Sequence, residues 1–300
     1  SVDDRGFLYG DAVVETLRAY GGEVFRWDAH ADRIDASAAA LSIDHGYARE
    51  GLKRRVDATL AANDLFDARL RLSITRGSGS GAATITPPDD ADPTVVVRVT
   101  PLPRGGIHGD PVWDDPAALQ TVKTRRLPDA VVPARARTHN ALDRVLARAE
   151  LRVSDADEAV MLDADGHVVG GAAGPVFFLD GDALRTPSLD GPVAPDVLRA
   201  TVFELAESEG VPVRQGSFTP GDLREAAEAF VATPTWGLRP VGTVDGITVG
   251  GGPATTLLRR VFDRRIERAH YAGSDSGADS NGGSDTDGAG DVPGDDHTPG

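Results

Sequence analysis

Cysteine is absent from this 300-residue chain, and of its 31 basic residues only Lys53 and Lys123 are lysines. Without cysteine there is no disulfide, no thiolate nucleophile and no thiolate metal site, a usage that fits a reducing cytoplasm. With two lysines, chemistry that needs a primary amine able to lose its proton has two side chains to draw on, because a guanidinium stays protonated. No run of eighteen apolar residues occurs and no leader-like segment stands at the start, so the expectation is a cytoplasmic protein that does not span a membrane. The seven histidines are scattered without metal-ligand spacing, which leaves no metal site expected. No Gly-x-Ser-x-Gly elbow supports a serine hydrolase. The glycine-rich run after Arg76 lacks the Gly-Lys-Ser/Thr that a phosphate-cradling P-loop requires. No internal repeat is visible.

What the chain has is acid. Asp and Glu number 47, giving a formal net charge of -16, a balance like that of proteins from salt-loving organisms, whose carboxylate surfaces stay hydrated where salt screens their repulsion. The same charge argues against nucleic acid or an anionic membrane as partner. The length suits one large domain or two medium ones. From Gly273 to Gly300 the chain is Gly, Ser and Asp with almost no apolar side chain, the composition of a disordered acidic tail.

Periodicity and turn chemistry lay out the rest. The opening reads as a glycine-containing loop, a helix from Asp11 to Arg18, a Gly21-Gly22 hairpin and a second helix; residues 48 to 63 read as an amphipathic helix, and RLRLSITRG and TVVVRVTPLP as strands. PRGGIHGD, residues 103–110, is the expected linker between an N-terminal α/β subdomain, 1–102, and a C-terminal one, 111–272. The second half opens with strand ALQTVKTRR. Leu142, Val145, Leu146 and Ala149 then mark one helix stripe, and EAVMLD, an Asp165-Gly166 turn and HVV form a hairpin. VFFLDGDALRTP turns at Gly181-Asp182. Pro195 and Asp196 start a helix with Val197, Leu198, Val202 and Leu205 on its apolar side, and a final helix ends near Tyr271.

Several stretches carry a likeness. Asp4-Arg5-Gly6, Gly10-Asp11, Glu15-Thr16, His30 with Arg33, Thr75-Arg76-Gly77, Thr138, Asn140, Asp157-Glu158-Ala159, Asp163, Gly166, Phe177, Arg199, and Thr233, Thr235, Gly237 and Pro240-Val241 stand in colinear order. The chain resembles the class IV (fold-type IV) pyridoxal-phosphate enzymes, which include aminodeoxychorismate lyase and the D-amino-acid and branched-chain aminotransferases. The resemblance implies an α/β (α+β type) fold of two subdomains with the cofactor cleft between them, commonly a homodimer acting on a small-molecule substrate. It also implies a strand ahead of the Asp-Arg-Gly loop that the chain as given does not contain. Pyridoxal 5'-phosphate is the implied cofactor. By the same resemblance Arg33, the amides at Val197 and Leu198, Thr233 and Thr235 are its binding residues, and Gly170 stands where the family places the glutamate facing the ring nitrogen.

Where the family places its Schiff-base lysine stands Arg137, and Lys123, in the strand before it, is the one candidate replacement. Lys53 reads as a surface charge and His139 as a surface or capping residue. Three further sites depart from the family: Asp196 replaces a glycine and would cap the helix that otherwise offers its amides to phosphate, Pro175 replaces an asparagine, and Pro234 removes a backbone donor. Ala82-Ala83-Thr84 stands where many lyases have Arg-Gly-Tyr. Within the family the Thr-x-Asn and Asp-Glu-Ala motifs look most like the lyase that releases pyruvate from 4-amino-4-deoxychorismate to give p-aminobenzoate for folate. The expectation is a lyase-like protein impaired at its catalytic lysine; the alternatives are an inactive pseudoenzyme serving as scaffold or metabolite-binding partner, and a D-amino-acid or branched-chain aminotransferase.

Overall fold

The computed structural model describes residues 1–80 and 84–272; the acidic segment 273–300 and Ala82-Ala83 lie outside the described residues. The first half comprises α1 (Arg5–Tyr9), β1 (Ala12–Tyr20), β2 (Glu23–Val24), α2 (Trp27–Ala40), α3 (Arg49–Ala62), β3 (Ala68–Ser78) and β4 (Asp92–Pro101). The second comprises β5 (Ala117–Arg125), α4 (Leu142–Glu150), β6 (Glu158–Leu162), β7 (Val168–Gly171), β8 (Val176–Asp180), β9 (Ala183–Pro187), α5 (Val197–Ser208), β10 (Val213–Gly216), α6 (Pro220–Arg224), β11 (Glu228–Thr233), β12 (Gly237–Val244), β13 (Ile247–Thr248) and α7 (Pro253–His270).

β2-β1-β3-β4 form an antiparallel sheet. In β3 the pleat sends Ala68, Leu70, Leu72 and Ile74 into a core shared with α2 and α3, while Arg69 and Arg71 point to the other side. β4 repeats the pattern, with Val95, Val97 and Val99 inward and Arg98 outward, paired in register with Arg71. The second sheet runs β10-β9-β8-β11-β12-β5-β6-β7, with β13 on β12. Against it α5 and α7 bury Leu198, Leu205, Leu258 and Phe262 around the stacked rings of Phe177 and Phe230, whose centroids lie 5.0 Å apart.

A short extended segment seams the sheets together. Thr138 bridges to Val13, the Val14 amide donates to the Arg137 carbonyl at 2.9 Å, and the His139 amide donates to the Ala12 carbonyl at 3.1 Å. Position 137 is thereby fixed against the start of β1.

One expectation fails, and one stripe takes a direction that the sequence leaves open. Residues 11–18 are not a helix but most of β1, which buries nearly every residue on both faces, Glu15 and Arg18 included. A strand covered on both sides loses the polar-apolar alternation that would reveal it, and buried ion pairing lets charged residues sit where the pattern reads a helix surface. The helix at 142–150 is present, but its apolar stripe faces out: Leu142, Val145 and Leu146 are 66%, 60% and 50% exposed, and the residues turned inward are Asp143 and Ala147. Arg126, ion-paired to Asp143, makes the polar side of α4 the buried one.

Candidate functional site

Between the outer face of the first sheet, the 137–138 seam, α4 and the turns at 172–173 and 233–236 lies a cavity of about 870 Å³. Its walls follow from local geometry. Alternation along β3 and β4 delivers Arg69, Arg71 and Arg98 to one side. The i, i+4, i+8 spacing of α4 and the 3-10 turn after it, Leu151–Val153, delivers Arg144, Arg148 and Arg152 to the other. Arg137 projects from the seam. No aspartate or glutamate is among the lining residues.

Arg137 donates its amide to Ser37 Oγ at 3.0 Å, and its buried Nε has no partner. Burial and the nearby Arg33 charge pull its pKa below the ordinary arginine value, only partly offset by Glu15 and Asp196. Arg144, its Nε also buried without a partner, is pushed down to about 10 by burial and then by Arg137 and Arg126.

Beside Arg137 a buried network closes on itself. Glu15 accepts from Arg33 Nε at 2.7 Å and Nη2 at 2.6 Å, and lies 2.9 Å from His30 Nδ1. Arg33 Nη1 donates to the Pro195 carbonyl at 2.9 Å and to Asp196 at 3.2 Å. Asp196 also caps α5, accepting from the Leu198 amide at 2.8 Å and the Arg199 amide at 3.2 Å. Arg33 and the Leu198 amide, expected on resemblance to hold phosphate, are thus engaged by carboxylates of the chain itself, and the side chains of Val197 and Leu198 are buried.

The other expected residues divide. Thr235 and Pro234 line the cavity; Thr233 also lines it, but its Oγ1 accepts from the Trp236 amide at 2.9 Å and so closes the turn. Gly170 pairs with Met161 of β6 at a φ of 133°, a backbone region open to glycine and strained for other residues. Lys53 pairs with Asp57 on α3 at 2.7 Å. Lys123 is exposed on β5, its amide donating to Glu150 at 2.8 Å, and it is not among the cavity-lining residues. His139 sits 2.9 Å from Ser73 Oγ rather than at the surface. Asp163, Asp165 and His167 lie together in the β6–β7 turn, where Asp163 accepts from the amides of the other two and so braces the turn.

Residues 12–244 match the model of the amino-transferase class IV family. The chain belongs to that family. This class IV protein is 34% identical over 265 residues to a putative branched-chain-amino-acid aminotransferase of Methanocaldococcus jannaschii, covering 87% of the chain and 89% of the relative. It is 28% identical to the aminodeoxychorismate lyase of Bacillus subtilis, covering 88% of each. The solved branched-chain aminotransferase of Thermoproteus uzoniensis, with norvaline, superposes at a TM-score of 0.80 and 27% identity, over 89% of each chain. The fold implied by the resemblance is therefore the fold found, and its family is pyridoxal-phosphate-dependent, with solved neighbours that carry pyridoxamine 5'-phosphate. In this class IV chain no lysine lines the cavity, and the Leu198 and Arg199 amides and four N–H groups of Arg33 already have acceptors. No helix among the described residues is long and apolar enough to cross a membrane.

The cavity arginines other than Arg137 escape a reading of the sequence. Their signals, RLR in β3 and the four-residue repeat of arginines from Arg144, are visible, but both look like solvated faces until the fold turns them toward one space.

Proposed function

We propose that this class IV homologue does not hold pyridoxal phosphate covalently and does not run the family's reactions, persisting instead as a metabolite-binding protein on the inherited scaffold. The carrying observation is the cavity wall, where Arg137 stands and no lysine does. When bound, pyridoxal phosphate supplies an electron sink for a substrate carbanion; to be held through its aldehyde it needs an amine that can become neutral. Even with its pKa pulled down, Arg137 stays a cation at neutral pH, and it has no unprotonated nitrogen to offer. The phosphate end meets a matching obstacle, because Asp196 brings a carboxylate to the amides a phosphate would use. The residues present do not fit the cofactor.

A second reading, turnover as an aminodeoxychorismate lyase or as a branched-chain or D-amino-acid aminotransferase, is favoured by what the relatives are. It requires an amine from outside the cavity wall. Purified protein given excess pyridoxal phosphate is assayed for pyruvate release from 4-amino-4-deoxychorismate and for amino transfer from branched-chain and D-amino acids. The expected result is no turnover above blank; turnover abolished by Lys123→Ala would overturn the proposal. The outward apolar stripe of α4 supports a homodimer with that helix in the contact.

A further inference from the structure

We infer that the arginine-lined cavity binds a small metabolite carrying two or more phosphate groups, one molecule per chain; this deepens, and rests on, the reading that no cofactor is covalently held there. The first support is uncompensated charge. Arg5, Arg33, Arg49, Arg76, Arg104 and Arg126 lie elsewhere and each has a carboxylate partner, while Arg54, Arg214 and Arg260, which make no ion pair among the described residues, are exposed surface side chains. What sets the cavity apart is that arginines without an ion pair gather around one space. Among the described residues Arg148 pairs with Glu158 at 3.1 Å, while the guanidinium groups of Arg69, Arg71, Arg98, Arg137, Arg144 and Arg152 make no ion pair. In a chain with 47 acidic residues, carboxylates to neutralise them are abundant, and none is placed among the lining residues. Like charges held together around a concave space repel one another, and an anion bound among them relieves that cost.

The second support is direction. One carboxylate has two oxygens in one plane and satisfies one or two guanidinium forks. Here the forks come from three sides: the sheet with Arg69, Arg71 and Arg98, the helix with Arg144, and the seam with Arg137. A diphosphate presents oxygens in many directions and matches such an enclosure. The third is size and lining. About 870 Å³ lies within the range of small-molecule pockets, and Val14, Ala141, Ala172 and Trp236 add an apolar side against which the rest of a metabolite can lie. A nucleic acid has the same phosphate chemistry but would extend over a surface of net charge -16, which disfavours it.

The test is calorimetric titration of the full chain at low ionic strength with pyrophosphate, ADP, citrate and a single-stranded oligonucleotide. Pyrophosphate and ADP are expected to saturate at one per chain, with citrate weaker. Arg71→Gln and Arg144→Gln are each expected to weaken pyrophosphate about tenfold or more. Arg260→Gln, on the exposed side of α7, should leave it unchanged. Circular dichroism melts of each variant confirm folding, and Arg69→Gln replaces any variant that fails to fold. No saturable binding of pyrophosphate, tighter binding of citrate or of the oligonucleotide, or equal weakening by Arg260→Gln would overturn the inference. A borohydride-reducible pyridoxyl adduct in the same preparation would sink the preceding reading and this one with it, whereas absent pyrophosphate binding without an adduct would sink this one alone.

Discussion

Replacing Glu15 by glutamine removes the charge at the centre of the buried network beside Arg137. The carboxyl is 1% exposed, so burial alone would raise its pKa; the Arg33 charge, the hydrogen bond with His30 and those from Arg33 outweigh it and hold it at about 2 against an ordinary 4.5. That gap corresponds to ~3 kcal/mol of folded-state stability. A group whose folded pKa is depressed contributes fully above its unfolded value, here 4.5, and loses the contribution as pH falls toward its folded value, here about 2. The Glu15→Gln variant is therefore expected to be ~3 kcal/mol less stable at neutral pH, and up to about 5 kcal/mol because Arg33 would remain buried with Asp196 as its one charged partner. Urea unfolding at a series of pH values reads the prediction directly. The difference between wild type and variant should shrink steadily as pH falls below 4.5. A difference that stays constant with pH, or one below about 1 kcal/mol at neutral pH, would refute the reasoning and leave Arg33 far less committed to Glu15 than the geometry shows.

Asp263 presents the opposite sign: burial, partly opposed by Arg259, raises its carboxyl from 3.8 to about 6, so its ionised form burdens the folded state above pH 6 and ceases to do so below 3.8. Asp263→Asn should stabilise the protein at pH 7.5 by ~1–2 kcal/mol, discounted for partial exposure, with the gain disappearing in thermal melts at acid pH. Arg137→Lys places an amine where burial and the Arg33 charge favour its neutral form; it is expected to give a reducible pyridoxyl adduct at position 137 by intact mass. Adding Asp196→Gly should tighten that binding about tenfold by freeing the α5 amides, whereas adding Gly170→Glu is expected to help less, because φ at 170 is 133°. Val145→Glu and Leu146→Glu, both on the exposed stripe, should shift the mass in light scattering to that of one chain without lowering the melting temperature.

Most of the fold was legible because its signals are local. The Gly21-Gly22 and Gly181-Asp182 turns, the Asp196 cap and the alternation in β3 each depend on a few neighbouring residues, and each reappears in the structure. What failed depended on partners distant in sequence. β1 reads as a helix because its two faces are covered by elements the local pattern does not contain, and the α4 stripe leaves its direction open because periodicity gives a face but not what it faces. The site divides along the same line. Arg137 could be singled out from its motif, and the engagement of Arg33 by Glu15 and Asp196 could not, since Arg33 and Asp196 lie 163 positions apart. The cavity arginines converge from β3, β4, the seam and α4, so no single stretch announces them.

The central claim is that this family member has no amine in place to hold the cofactor. Wild-type protein incubated with pyridoxal phosphate, reduced with borohydride and digested for peptide mass spectrometry tests it most directly. The account predicts no stoichiometric pyridoxyl label on Lys53 or Lys123; a stoichiometric label on either, lost on unfolding the protein before incubation, would contradict it.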